Sequence, residues 1–75
     1  MRIHIRYFAS LRERLGKAVE TVDLQGSPSV QDLWAQVGGD VGTLVLAAVN
    51  HEYAPFAQRL QDGDEVAFFP PVTGG

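Results

Sequence analysis

The sequence predicts one small α+β domain, a mixed sheet of four to five strands wrapped around one principal helix. Three stretches carry that prediction. Residues 2–8 alternate strictly, with Ile3, Ile5 and Tyr7 on one side and Arg2, His4 and Arg6 on the other, the period of a strand with one buried face. Ser29 precedes an apolar stripe of Val30, Leu33, Trp34 and Val37 at helical spacing. Leu44–Val49 is a continuous apolar run, the pattern of a strand buried on both faces. Residues 1–69 form the domain, and 70–75 form a flexible C-terminal tail.

Between these stretches the elements follow in order. Phe8, Leu11 and Leu15 change to a helical spacing, which predicts one or two turns over 9–15. Gly16 stands where a left-handed C-cap is wanted. Residues 18–24 read as a second strand, with Val22 and Leu24 inward and Glu20 outward. Gln25-Gly26-Ser27-Pro28 breaks it. Ser29 is a helix N-cap, and Asp32, three residues on, completes a capping box and favours the positive end of the helix. Gly38-Gly39 ends that helix, and residues 40–43 receive no assignment. Asn50-His51-Glu52 reads as a turn or strand exit, and Asp62-Gly63-Asp64 as a tight turn. Glu65–Phe69 is the last strand, with Val66 and Phe68 on one side and Ala67 and Phe69 on the other. Pro70-Pro71 cannot donate ladder hydrogen bonds and stops the sheet.

Composition excludes several function classes. The chain has 75 residues, 45% hydrophobic and 20% charged, the balance of a soluble globule. With no cysteine there is no disulfide framework, thiolate metal site or cysteine nucleophile. The longest apolar run is six residues, against the ~20 a membrane helix needs, and no signal-peptide core follows Met1, so the expected location is cytoplasmic. Net charge is −3, with five cations and one acid in residues 1–17 but one cation and eight acids in 18–75. The overall acidity argues against nucleic acid as a partner, whereas a two-faced distribution suits a protein partner.

No self-sufficient active site is apparent. Ser10, Ser27, Ser29, His4 and His51 are scattered, and a hydrolytic triad needs convergence. Two histidines at no ligand-like spacing argue against a transition metal. Asp62, Asp64 and Glu65 lack the alternation of a calcium loop and fit turn chemistry instead. Gly38-Gly39 and Gly74-Gly75 do not make a phosphate loop.

The distinctive feature is the ending Pro70-Pro71-Val72-Thr73-Gly74-Gly75. Two prolines carry the chain away in extended form, and two residues without side chains can thread a narrow channel. The handle exposed is the Gly75 α-carboxylate, ionised at neutral pH with a reference pKa of about 3.5 and a poor electrophile. Acyl chemistry there requires a leaving group such as an adenylate, made from ATP by another enzyme.

The residues that carry a family resemblance run through the whole chain: Tyr7-Phe8-Ala9-Ser10-Leu11-Arg12-Glu13 followed by Gly16; Ser29-Val30-Gln31-Asp32-Leu33; Ala48-Val49-Asn50; Leu60 with Asp62-Gly63-Asp64-Glu65-Val66-Ala67; and Phe69-Pro70-Pro71-Val72-Thr73-Gly74-Gly75. In these the sequence resembles the small, sulfur-carrying subunits of molybdopterin synthase. The resemblance implies a ubiquitin-like β-grasp fold. It implies that an E1-like adenylating enzyme activates Gly75 with ATP and Mg, and that a sulfur donor such as a cysteine desulfurase or rhodanese-like protein converts it to a thiocarboxylate. The tail, with Gly74 as its approach, then enters the large subunit and gives its sulfur to a cyclic pyranopterin monophosphate. The complex is expected to hold two small and two large subunits. The chain itself is expected to bind no cofactor and no metal, and to donate sulfur to an active site that lies mainly on the large subunit. Phe8, Phe68 and Phe69 are candidates for the partner surface, with at least one of them in the core. The competing readings are a sulfur carrier for thiazole or another pathway, a ubiquitin-like protein modifier, and an interaction domain with an inert tail.

Overall fold

The computed structural model describes residues 1–39 and 44–71. Its elements are β1 (Arg2–Tyr7), α1 (Ala9–Leu15), β2 (Val19–Asp23), α2 (Val30–Gln36), β3 (Leu46–Val49), β4 (Glu52–Ala54) and β5 (Glu65–Phe69). The strands form one sheet in the order β2-β1-β5-β3-β4. β1 and β5 run parallel at its centre, with Tyr7 opposite Phe68, and the other pairs are antiparallel. No helix among the described residues is long and apolar enough to cross a membrane.

Period-two alternation sends Ile3, Ile5, Tyr7, Ala47, Val49, Val66 and Phe68 to one face, where they are buried with Val30, Leu33 and Trp34 of α2 and with Leu11 and Leu60. Phe68 is the hub: its ring lies 4.8 Å from that of Trp34 and 6.3 Å from that of Tyr7. Burying aromatic rings supplies much of the stability of so small a core.

The seven-residue α2 is too short to be stable alone, so its ends matter. The Asp32 N–H donates to Ser29 Oγ at 3.1 Å, and the Ser29 N–H donates to Asp32 Oδ2 at 2.9 Å, the expected capping box. The Val30 and Gln31 N–H groups donate to the carbonyls of Gln58 and Phe56. After the helix, the Gly39 N–H donates to the Trp34 carbonyl at 2.8 Å, and a methyl on Gly39 would collide with the Trp34 indole. Gly16 caps α1 at φ 74°, returning its N–H to the Arg12 carbonyl, a backbone conformation that disfavours a Cβ.

Four expectations are corrected. Glu20 was expected outward, but it shares the inward parity of Val22; it is half-buried because the Tyr7 hydroxyl donates to its Oε2 at 2.8 Å. The run Leu44–Val49 is not buried on both faces. The strand begins at Leu46, Leu44 is 74% exposed, and Leu46 and Ala48 are only half-buried because the α2 residues of the core meet the opposite face. Phe8 does not belong to the α1 stripe: it is the extended N-cap residue, with its ring half out of the protein. At the β3 exit, Asn50 and His51 form the turn and Glu52 already belongs to β4. The unassigned stretch 40–43 and the tail from Val72 lie outside the described residues.

Candidate docking face and tail root

The predicted site residues Gly74 and Gly75 lie outside the described residues, so the placed part of the site is the root of the tail. β5 ends at Phe69, and Pro70 and Pro71 follow it out of the sheet. Because β5 is the central strand, the root has neighbours on both sides. On one, the parallel β1 brings Phe8 alongside, and the Phe8 N–H donates to the Phe68 carbonyl at 3.1 Å. On the other, Leu46 of β3 pairs with Phe69.

The same alternation that buries Phe68 turns Phe69 to the opposite, uncovered face. There it joins Phe8, 46% exposed, Tyr53, 77% exposed, and the half-buried Leu46, Ala48 and Ala67. The Tyr53 and Phe69 rings meet edge to face at 5.8 Å. Of the three phenylalanines considered for a partner surface, Phe8 and Phe69 thus border this face and Phe68 is core. An exposed apolar patch of this kind is the type of surface on which partner proteins dock.

A shallow depression of about 350 Å³ opens in this face, lined by Arg6, Phe8, Ala48, His51, Glu65 and Ala67. Glu65 is held by two donors: Arg6 Nε at 2.8 Å on Oε1 and His51 Nε2 at 3.0 Å from Oε2. The Arg6 hydrogen bond is the main reason the Glu65 carboxyl is held below the usual carboxylate range.

The remaining polar candidates are used locally. Ser29 caps α2, Ser10 is exposed on α1, and the exposed Ser27 offers its carbonyl to Arg59 at 2.7 Å. His4 is exposed beside the Thr21 hydroxyl at 3.4 Å. Asp62 accepts from the Arg2 N–H and Asp64 from the Gln61 N–H, so both carboxylates serve the turn before β5. Among the described residues, no group of three or more His, Asp or Glu is placed to hold a metal ion.

Sequence reading missed Tyr53, Leu46 and the His51–Glu65 contact. Two residues, Asn50 and His51, separate the apolar end of β3 at Val49 from Glu52, which is hairpin spacing, and that spacing was the available signal.

A family model, described as the ThiS family, matches residues 5–75. The chain belongs to the ThiS family. Among ThiS-family relatives, it is similar to the molybdopterin synthase sulfur carrier subunit of Escherichia coli, 46% identical over 97% of this chain and 99% of that one. It is 30% identical to the human protein of the same name, over 97% and 93%. Among solved structures, the crystal structure of small archaeal modifier protein 1 from Haloferax volcanii matches with a TM-score of 0.82 at 31% identity, covering 100% of both chains. The resemblance to the small subunits of molybdopterin synthase therefore holds over the whole chain, and the fold is the ubiquitin-like β-grasp.

Proposed function

We propose that this chain is the sulfur carrier of molybdopterin synthase, with residues 1–69 as the carrier domain and 70–75 as the tail that works. The observation that carries the reading is the end-to-end similarity to the Escherichia coli sulfur carrier subunit. The tail root on the central strand, beside an uncovered apolar face, supports it.

On this reading an E1-like enzyme using ATP and Mg lets the Gly75 carboxylate attack the α-phosphate, releasing pyrophosphate and leaving a glycyl adenylate. The terminal sulfur of a persulfide on the donor protein then displaces AMP to give an acyl disulfide, and a second thiol attacks the donor's sulfur, forming a disulfide with it and leaving Gly75 as a thiocarboxylate. Oxygen in the carboxylate is hard and weakly nucleophilic; sulfur is soft and reactive. Gly74, without a side chain, lets the terminus follow a narrow channel. The large subunit docks on the face bordered by Phe8, Tyr53 and Phe69 and receives the tail, and the sulfur passes to the cyclic pyranopterin monophosphate. A dithiolene needs two sulfurs and each Gly75 carries one, so two charged chains serve each product. The cycle is proposed to run in the cytoplasm, where ATP is available. Omitting Gly75 tests the reading: the shortened chain must bind the large subunit yet form no molybdopterin, and product formation by that chain contradicts it.

A second reading has its own support, the 34% identity to small archaeal modifier protein 1 of Haloferax volcanii over 93% of this chain. There Gly75 would be joined to lysine amines of other proteins, and isopeptide-linked adducts in cells would distinguish it.

A further inference from the structure

The register of the sheet sets five residues in one row across the uncovered face: Val19 on β2, Arg6 on β1, Ala67 on β5, Ala48 on β3 and Tyr53 on β4. Ala67 and Ala48 stand opposite each other in the middle of that row. Toward the tail their neighbours are Phe69 and Leu46, also a cross-strand pair, with Phe8 just past the end of β1. Away from the tail stands Glu65, in contact with His51 of the β3–β4 turn. The two short side chains therefore form the floor of the depression in this face, and Phe8, Arg6, Glu65 and His51 form its wall.

Packing within the chain does not call for this hollow, because the buried residues of α1 and α2 meet the opposite face. Strands favour β-branched and aromatic residues over alanine. The polar part of the wall is already matched: Arg6 Nε donates to Glu65 Oε1 at 2.8 Å, and His51 Nε2 lies 3.0 Å from Oε2. A charged guest reaches Glu65 only by displacing one of them. An apolar guest meets two methyl groups, the Phe8 ring and the aliphatic stem of Arg6. The place of the depression decides whose side chain that guest is. Phe69, the last residue of β5, lies two residues beyond Ala67 on the same face, about 7 Å along the strand, and the tail begins at Pro70. A folded protein that receives the tail lies against the depression.

We propose that the large subunit seats one bulky apolar side chain, aromatic or long aliphatic, in this depression, and that Ala48 and Ala67 set the size of what fits. The proposal rests on the reading that the large subunit docks on this face. A side chain buried in a pocket and ringed by other contacts carries a large share of the binding energy of an interface. Filling the depression from the carrier's own side removes the seat, and overpacking a closely fitted contact weakens it by about tenfold or more.

The test is the dissociation constant of the full chain for purified molybdopterin synthase large subunit, with the urea midpoint of each variant measured beside it. Ala48→Leu and Ala67→Leu should each bind about tenfold more weakly or worse. Their midpoints should stay close to the wild type, because the added side chain enters the depression and not the core. Ala67→Val adds less bulk in a form that strands favour, so it keeps the test open should leucine lower the midpoint. Its affinity should fall between those of the wild type and Ala67→Leu. Thr21→Leu adds bulk on the same face, opposite His4 and away from the depression, and should bind as the wild type does. Wild-type affinity in every Ala48 and Ala67 variant, with Phe8→Ala weakened, overturns the proposal and leaves the docking reading standing. Wild-type affinity in Phe8→Ala as well overturns both. An equal loss in Thr21→Leu overturns the proposal, since added bulk anywhere on the face then does the same. Self-association of the chain that Ala67→Leu abolishes, with large-subunit affinity unchanged, gives the depression to a second copy and overturns it too.

Discussion

The backbone N–H of Phe8 donates to the carbonyl of Phe68 at 3.1 Å, tying a half-exposed ring to a fully buried one at the root of the tail. The two phenylalanines should therefore separate stability from binding. Phe68→Ala removes the hub of the core and should cost ~3–5 kcal/mol, enough to leave so small a domain largely unfolded. Phe8→Ala should change stability by less than ~1 kcal/mol while weakening the large-subunit complex by about tenfold or more. Urea unfolding and titration calorimetry on the two variants give both numbers.

Ser29 gives a cleaner local prediction, because its capping box serves a helix with only two turns. Ser29→Ala should lower stability by ~1 kcal/mol through the N–H of Asp32 that it leaves unpaired. Ser29→Asp should recover most of the loss. The urea midpoints of the three proteins are the check.

Acid stability follows from three carboxylates held below their ordinary range: Glu20 chiefly by the hydrogen bond from Lys17, Asp32 by that from the Ser29 backbone, and Glu65 by that from Arg6. Each binds its proton less readily folded than unfolded. Each contribution is thus complete above the unfolded value of about 4 and is lost as pH falls through the lower folded value. The unfolding midpoint should stay level from neutrality to about pH 5 and fall below about pH 4. Tyr7→Phe, which removes a donor from Glu20, should lower the neutral plateau by about 1 kcal/mol and shrink the acid loss. Burial, followed by the bond to Glu20, raises the Tyr7 phenol above its ordinary range. Its contribution is therefore present below about pH 10 and lost only as pH rises through the higher folded value.

What the sequence disclosed depended on how local each cause was. β1 and β5 were legible because Ile3, Ile5, Tyr7, Val66 and Phe68 alternate along a few consecutive residues, and α2 because Ser29 and Asp32 lie one turn apart. Glu20 was misplaced because a carboxylate beside Val22 looks like a surface residue; its partner, Tyr7, belongs to another strand. β4 was not seen as a strand because three residues, Glu52-Tyr53-Ala54, are too few for a period, and their state is decided by pairing with β3. Phe8 looked like the first member of a helical stripe, yet its extended backbone leaves its ring beside the tail root. The chemistry proposed for Gly75 has no periodicity behind it and rests only on the ending and on the family resemblance.

Gly74→Ala should separate the tail's work from the fold. Among the described residues the core ends at Phe68, so the variant should unfold within ~0.5 kcal/mol of the wild type. Its rate of thiocarboxylate formation or of sulfur transfer should fall, because the added methyl narrows the approach of Gly75 to a partner's active site. Rate assays with the activating enzyme and with the large subunit show which step suffers. A wild-type rate in both would remove the steric argument for the diglycine.

The central claim is that Gly75 carries sulfur, and intact-mass analysis of the chain captured from its own cells tests it most directly. The account predicts a fraction of chains with one oxygen replaced by one sulfur, the exchange localised to Gly75 by fragmentation, and a larger subunit co-purifying under native conditions. A chain that keeps two oxygens at Gly75, or is found joined to lysines of other proteins without any thiocarboxylate, would contradict it.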